Sequence, residues 1–165
     1  MGRLFDAVSS LTGIRQEVNY EGQAAIELEA IADPTESGSY HFGIQSEEIS
    51  PYIIDTAPLI QSVARDIRSG VHPAVISARF HNSVANMIYE VCLQLRIERG
   101  LNLVALSGGV FQNVTLLRRT LKLLEQAGFE VYTHRLVPPN DGGLALGQAV
   151  VAQFTASPQN SQNGL

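Results

Sequence analysis

The sequence LNLVALSGGVFQN, residues 101–113, decides the fold class of this chain. Its first half is a short apolar run, typical of a strand buried on both faces, and a helical pattern follows from Asn113. Gly108 and Gly109 lie between the two, where the lack of side chains lets a ligand approach the backbone. The next helix points its free amides and the positive end of its dipole at this turn. We therefore predict an α/β protein with an anion-binding turn suited to phosphate.

The rest of the chain supplies the other elements of such a fold. Hydrophobic periodicity and capping residues predict helices over 1–11, 22–32, 58–68, 73–99, 113–126 and 144–154, and strands over 39–45, 52–55, 101–106 and 129–133. The first two strands should form a hairpin through a polar turn at 46–48. The last two should be parallel, joined by a right-handed crossover, with the final helix packed after them. Residues 1–154 then form one domain, and the Ser-, Asn- and Gln-rich segment 155–165 is predicted to be disordered.

Composition limits the function classes. The chain has 165 residues, of which 45% are hydrophobic, enough to bury one core. A net charge of -5 and the lack of any run of Lys or Arg argue against nucleic-acid binding. Cys92 is the single cysteine, which excludes a disulfide framework and suits a reducing compartment. No window is long and apolar enough for a membrane span, and the N-terminus lacks a signal-peptide pattern, so we expect a cytoplasmic protein.

Three familiar sites can be compared with the Ser-Gly-Gly turn. A P-loop needs a lysine after its glycines, and none lies near Gly109. A dinucleotide-binding turn needs an acid at the far end of the next strand, whereas Glu130 lies at the start of that strand. A hydrolase elbow would make Ser107 the nucleophile, but no histidine follows Asp141 to complete the usual order of the triad. A serine that bonds the turn backbone is the simpler interpretation.

A second loop, PPNDGG at residues 138–143, follows the last predicted strand. In open α/β sheets ligands bind at the carboxyl edge of the strands, so this loop should lie beside the glycine turn. Prolines stiffen the approach to Asp141 and glycines follow it, which would fix one carboxylate next to the anion site. That carboxylate could hold a metal ion, or it could cap the last helix.

Five passages together resemble one known family. They are MGRLFD at 1–6, YEGQAAIEL at 20–28, RFH at 79–81, SGGVFQN at 107–113 and VPPNDGGLALGQ at 137–148. These passages are similar to the C-terminal part of the HypF carbamoyltransferases of nickel-iron hydrogenase maturation. Looser forms of the same signatures occur in the related tRNA threonylcarbamoyltransferase family.

The resemblance implies an ASKHA fold, the α/β fold of sugar kinases and actin, in which two lobes with mixed sheets and flanking helices close over a nucleotide. This chain would be the second lobe. The family transfers a carbamoyl group from an ATP-derived carbamoyl-adenylate to the C-terminal cysteine of HypE. Dehydration of that group yields the cyanide ligand of the hydrogenase iron. By resemblance, the nucleotide-binding residues are Asp6, Gly22, Gly108, Gly109 and Asn113. The residue matching the family's metal-binding aspartate, for a divalent ion, is Asp141.

Simpler interpretations exist for some of these residues. Asp6 fits an exposed acid in a first helical turn, and Gly22 fits a helix start. His81 shares a helix face with apolar residues and fits a buried core histidine as well as a site residue. The other histidines, His41, His72 and His134, do not form a ligand pair at helical spacing, and no role is predicted for them.

The chain also departs from the family pattern. Val114 occupies a position where an arginine is expected, and the family's upstream domains and first lobe have no counterpart in this sequence. We therefore expect a fragment or split product that needs the missing lobe and shows little or no transferase activity alone. The alternative is a non-catalytic module that binds a nucleotide or a maturation partner. In either case the face that should meet the first lobe is expected to be apolar and prone to self-association.

Overall fold

The computed structural model describes residues 1–45 and 52–156. Its helices are α1 (Gly2–Leu11), α2 (Gln23–Ala30), α3 (Ala57–Arg68), α4 (Pro73–Arg99), α5 (Val114–Gln126) and α6 (Leu144–Ala156). Its strands are β1 (Gly43–Gln45), β2 (Ile53–Asp55), β3 (Leu103–Leu106) and β4 (Glu130–Thr133). Short 3-10 turns at Gly109–Gln112 and Asp141–Gly143 precede α5 and α6. The predicted α/β class and the order of elements are confirmed.

The four described strands pair in two separate ladders. β1 and β2 are antiparallel, as the predicted hairpin requires, whereas β3 and β4 are parallel across α5. The predicted polar turn at 46–48 and the tail from 157 onward lie outside the described residues. The tail was predicted to start at Thr155, but Thr155 belongs to α6, where its hydroxyl donates to the carbonyl oxygen of Val151 at 3.1 Å.

The first strand is shorter than predicted, because residues 39–42 bind a helix instead of a strand. The Tyr40 amide donates to Ser83 Oγ at 2.6 Å, and Asn82 Nδ2 donates to the Gly38 carbonyl oxygen at 2.8 Å. Both partners lie on α4. This part of the chain is thus held by side chains of α4 until the β1 ladder begins at Gly43.

The main core lies around α4, the longest helix. Its fully buried Phe80 meets Phe5 of α1 edge to face, with ring centroids 4.8 Å apart. Leu28 of α2 and Leu116 of α5 are also fully buried in this cluster. Because α4 packs against α2, α3 and α5, it fixes the position of α5 and of the glycine turn in front of it.

A smaller apolar cluster supports the parallel strands on one face only. Leu106, Leu124 and Phe129 are buried in it, but Leu103 and Tyr132 are 58% and 54% exposed on the open face. The prediction that β3 is buried on both faces is therefore wrong. A parallel ladder is usually covered on both faces, so this open face is unusual for its type.

The last helix does not bury its apolar residues, contrary to the prediction that it packs after the strands. Every described side chain of α6 is exposed, and Phe154 is 71% exposed. The helix meets the preceding Asp141–Gly143 turn. Among the described residues, no helix has both the length and the apolar character needed to cross a lipid bilayer.

Candidate functional site

A cavity of about 650 Å³ lies at the carboxyl ends of β3 and β4. The residues around it come from the turn after β3, the segment after β4 and α6. They are Ser107, Gly108, His134, Pro138, Pro139, Asn140, Asp141, Gly143, Leu144, Gly147, Gln148, Val151 and Ala152. Its volume is in the range of small-molecule sites, which also combine apolar walls with a few polar groups. The predicted juxtaposition of the two loops at one sheet edge is confirmed.

A backbone hydrogen bond joins the two loops. The Gly108 amide donates to the Pro139 carbonyl oxygen at 2.8 Å. Gly108 has φ of +101°, a conformation that side-chain-bearing residues rarely adopt. The glycine turn thus reaches the second loop only through a backbone geometry that requires glycine.

The second loop folds tightly on itself. A Cβ atom on Gly143 would lie 2.8 Å from the Pro138 carbonyl oxygen, closer than two such atoms can approach. Asn140 Oδ1 accepts from the Gly142 amide at 3.1 Å and so caps the 3-10 turn that leads into α6. One of the two roles considered for Asp141 was a cap on the last helix. The structure gives Asn140 the cap of the preceding 3-10 turn and leaves the Asp141 side chain exposed on the cavity.

The metal-binding expectation can be tested against the donor set around Asp141. Within residues 1–45 and 52–156, no three His, Cys, Asp or Glu side chains come together as metal ligands would. Asp141 offers one carboxylate, whereas divalent ions in proteins are held by several ligands. The described residues alone therefore do not make a metal site.

Asn113 lies at the start of α5 in a buried polar chain instead of on the cavity wall. His81 Nδ1 lies 2.8 Å from the Ser77 carbonyl oxygen, so that nitrogen must donate and Nε2 must accept. Asn113 Nδ2 lies 2.9 Å from Nε2 and donates to it. His81 is fully buried, and this burial lowers the pKa of its imidazole. His81 is thus a satisfied core histidine, the simpler of its two interpretations.

The first amides of α5 are satisfied within the protein. Asn113 Oδ1 accepts from the Leu116 amide and Glu29 Oε1 accepts from the Thr115 amide, each at 2.7 Å. The Gly109–Gln112 turn also separates Gly108 from the helix. The prediction that free amides of this helix face the glycine turn is therefore wrong at these two positions.

The other predicted nucleotide-binding residues lie away from the cavity wall. Asp6 is exposed on α1, and Gly22, with φ of +80°, precedes α2. Gly109 does not line the cavity either, and a Cβ atom there would lie 3.8 Å from Asn140 Cβ, an ordinary contact. Of the six predicted site residues, the cavity brings together Gly108 and Asp141.

The cavity also brings together two residues, Ser107 and His134, that the sequence did not predict to interact. His134 Nε2 lies 2.9 Å from Ser107 Oγ. Each residue directly follows its strand, and the ladder pairs Leu106 with Thr133 just before them. The position of His134 one residue after a strand parallel to β3 was the signal that could have placed it beside Ser107.

Comparisons with known proteins identify the family of this chain. Residues 1–148 match a family described as carbamoyltransferase, Kae1-like domain, second subdomain. The carbamoyltransferase HypF of Synechocystis is 40% identical over 148 residues, which cover 90% of this chain and 18% of that protein. The chain thus spans about a fifth of the length of the HypF relative.

Solved structures give the same result. A full-length HypF in its phosphate- and nucleotide-bound form matches with a TM-score of 0.89 and 45% identity, over 96% of this chain and 21% of that one. HypF of T. kodakarensis matches with a TM-score of 0.78 and 29% identity, over 94% and 20%. The Kae1-like match implies the ASKHA-type fold, as predicted. The chain belongs to the HypF carbamoyltransferase family and corresponds to the second subdomain of its Kae1-like domain.

Proposed function

We propose that this chain supplies the nucleotide-binding half of a HypF-type carbamoyltransferase site. The donor would be carbamoyl-adenylate, and the acceptor would be the C-terminal cysteine of a HypE-type protein, on the way to the cyanide ligand of nickel-iron hydrogenase. The observation that carries this proposal is the cavity at the ends of β3 and β4, where Gly108 and Asp141 meet. The similar HypF described as phosphate- and nucleotide-bound supports a nucleotide as its ligand.

The chemistry would be acyl transfer to sulfur. The acceptor thiolate attacks the carbamoyl carbon, the bond from that carbon to the adenylate oxygen breaks, and AMP leaves with the electron pair. The role of this chain is to bind and orient the adenylate. Gly108 lets the ligand approach the backbone, and the apolar walls of Pro138 and Leu144 exclude water from one side.

A divalent metal ion is the second cofactor of the proposal. Asp141 would be one of its ligands, and the remaining ligands would come from the first lobe of the enzyme, because the described residues gather no such set. When bound, the ion would supply charge stabilisation for the reacting oxygen atoms. The HypE-type acceptor and the first lobe are thus both required partners.

Calorimetric titration of the 165-residue chain with ADP or AMP tests nucleotide binding. Gly109→Ala tests the nucleotide-binding role that the resemblance gives to Gly109, because the added methyl group meets no protein atom closer than 3.8 Å and should leave the fold intact. We expect it to weaken nucleotide binding, and Asp6→Ala to do the same if Asp6 reaches the ribose. Gly2→Ala, where the new Cβ atom also finds open space, is the matched control and should bind as the parent does.

A transferase assay tests whether this chain forms only half of the active site. The purified chain, given carbamoyl phosphate, ATP and the HypE-type acceptor, should show little or no turnover, because Asp141 alone does not make the metal site. Robust turnover would contradict the half-site interpretation. In the full-length relative, replacing the matching aspartate with asparagine should abolish transfer.

A second candidate function is a non-catalytic docking module. The exposed apolar side chains of α6, including Val151 and Phe154 at 63% and 71% exposure, favour it. The same titration separates the two functions. Heat from ADP or AMP binding supports the nucleotide site, whereas no heat with the parent chain supports the docking module.

A further inference from the structure

The charge of the cavity wall poses a problem for an anionic ligand. Its described lining residues include Asp141 but neither lysine nor arginine. A nucleotide phosphate in a protein site is normally held by cationic side chains or by backbone amides. His134 is the one lining side chain, among those that the structure describes, that can become positively charged.

Three backbone amides of the two loops are engaged within the protein. The Gly108 amide donates to Pro139, and the Gly142 and Gly143 amides both donate to Asn140, at 3.1 and 2.9 Å. The amides of Thr115 and Leu116 at the start of α5 are also taken, as described above. These donors serve the fold, so polar side chains on the cavity wall are the further donors that an anion at this site can use.

Ser107 and His134 have the geometry to do so. They leave neighbouring parallel strands at the same level, their side chains lie 2.9 Å apart, and both line the cavity with exposed surface. In the neutral ring whose Nε2 accepts from the serine hydroxyl, Nδ1 carries a hydrogen that can be donated. In the protonated ring, Nε2 donates to Ser107 Oγ, which frees the hydroxyl hydrogen for an anion.

Resting on the nucleotide-binding function proposed above, we propose that the Ser107–His134 pair contacts the phosphate group of the bound adenylate. The pair supplies up to two hydrogen-bond donors in a cavity where three of the loop amides are already engaged. It also places a group that can be cationic in a cavity whose other charged side chain is Asp141. The pair therefore discriminates nucleotides from nucleosides.

Paired titrations with AMP and adenosine test this role. His134→Gln keeps a polar side chain that cannot become cationic. It should weaken AMP binding by about tenfold or more, because the loss of one hydrogen bond to a charged group changes an equilibrium constant by about that factor. Ser107→Ala should weaken AMP binding in the same direction. Adenosine, which lacks the phosphate group, should bind both variants as it binds the parent. Urea unfolding of each variant verifies that the fold is retained.

Arg135→Gln is the matched control. Arg135 is exposed and adjacent to His134 in sequence but does not line the cavity, so its loss removes a neighbouring charge without touching the site. An equal effect of Arg135→Gln on AMP binding would overturn the proposal in favour of long-range charge. Unchanged AMP binding by His134→Gln, or equal losses for AMP and adenosine, would also overturn it. A parent chain that binds neither ligand defeats the nucleotide-binding function itself, which distinguishes that failure from the failure of the pair.

Discussion

Asn113 Nδ2 lies 2.9 Å from Nε2 of the buried His81, so one side chain ties the start of α5 to the centre of α4. The same asparagine caps α5 through its Oδ1 atom. Its resemblance-based role is nucleotide binding, but both of its polar groups also serve the fold. Any loss of ligand binding on replacing Asn113 must therefore be read together with stability.

Asn113→Ala should destabilise the protein substantially. It removes a helix cap and leaves His81 Nε2 buried without its donor, which together cost about 2–3 kcal/mol. Urea unfolding followed by circular dichroism measures the change. Asn86→Ala is the control, because its 3.2 Å bond to Ser39 Oγ is exposed, and it should change stability by less than about 0.5 kcal/mol. Equal stabilities for Asn113→Ala and the parent would show that the buried hydrogen bonds of Asn113 and His81 contribute nothing to stability.

His81 should make stability depend on pH. Burial lowers the pKa of its imidazole below the ordinary value of 6.5, so the unfolded state takes up a proton more readily than the folded state. Stability is unaffected by this group well above pH 6.5 and falls as the pH drops through that value. Unfolding free energies measured between pH 7.5 and pH 5, about one unit or more on either side of the ordinary value, should reveal the slope.

Two variants show whether His81 causes this pH dependence of the unfolding free energy. His81→Gln should flatten it, whatever the variant does to absolute stability, because the titrating group is gone. His41→Gln replaces an exposed imidazole and should leave the slope as in the parent. A slope that survives in His81→Gln would assign the effect to other groups.

Gly143→Ala should damage the second loop. The new Cβ atom would lie 2.8 Å from the Pro138 carbonyl oxygen, so the backbone must shift, at a cost of about 1–3 kcal/mol. Since this loop carries Asp141, AMP affinity should fall as well. Gly147 also lines the cavity, but a Cβ atom there would meet no atom within 4 Å. Because Gly147 lies in a helix, Gly147→Ala should leave the stability of the protein unchanged or slightly increase it. Thermal unfolding and AMP titration of the two variants make the comparison.

Phe154→Lys should reduce self-association of the chain. Phe154 is 71% exposed on α6 among other exposed apolar residues, whereas Ile97, 83% exposed, lies on a different helix, α4. Sedimentation velocity over a concentration series measures the effect. If Ile97→Lys reduces association as much as Phe154→Lys does, then general surface hydrophobicity is responsible and α6 is not the contact.

Local signals predicted the elements of this fold well. Gly100 and Gly128 adopt the positive φ values expected of residues that end helices, 70° and 78°. The glycine turn and the 138–143 loop meet at one edge because parallel strands end on the same side. These features depend on residues close in sequence or on a general rule of topology, which explains why the sequence alone was enough.

Long-range contacts account for the errors. The start of β1 was misplaced because the Tyr40 amide binds Ser83, which lies 43 residues away. His134 received no role because only the strand register places it beside Ser107. The predicted roles of all six site residues stay predictions, since they depend on a ligand. The cavity wall includes Gly108 and Asp141 and does not include the other four, Asp6, Gly22, Gly109 and Asn113.

The hydrogen bond from the Thr115 amide to Glu29 Oε1 joins residues 86 positions apart. The helix behind the glycine turn thus receives one of its caps from the first fifth of the chain. Closing a loop of this length costs conformational entropy, which the packing of α5 must offset. The cap forms only when Glu29 and Thr115 are both in place, so the helix that follows the glycine turn depends on the distant segment that carries Glu29.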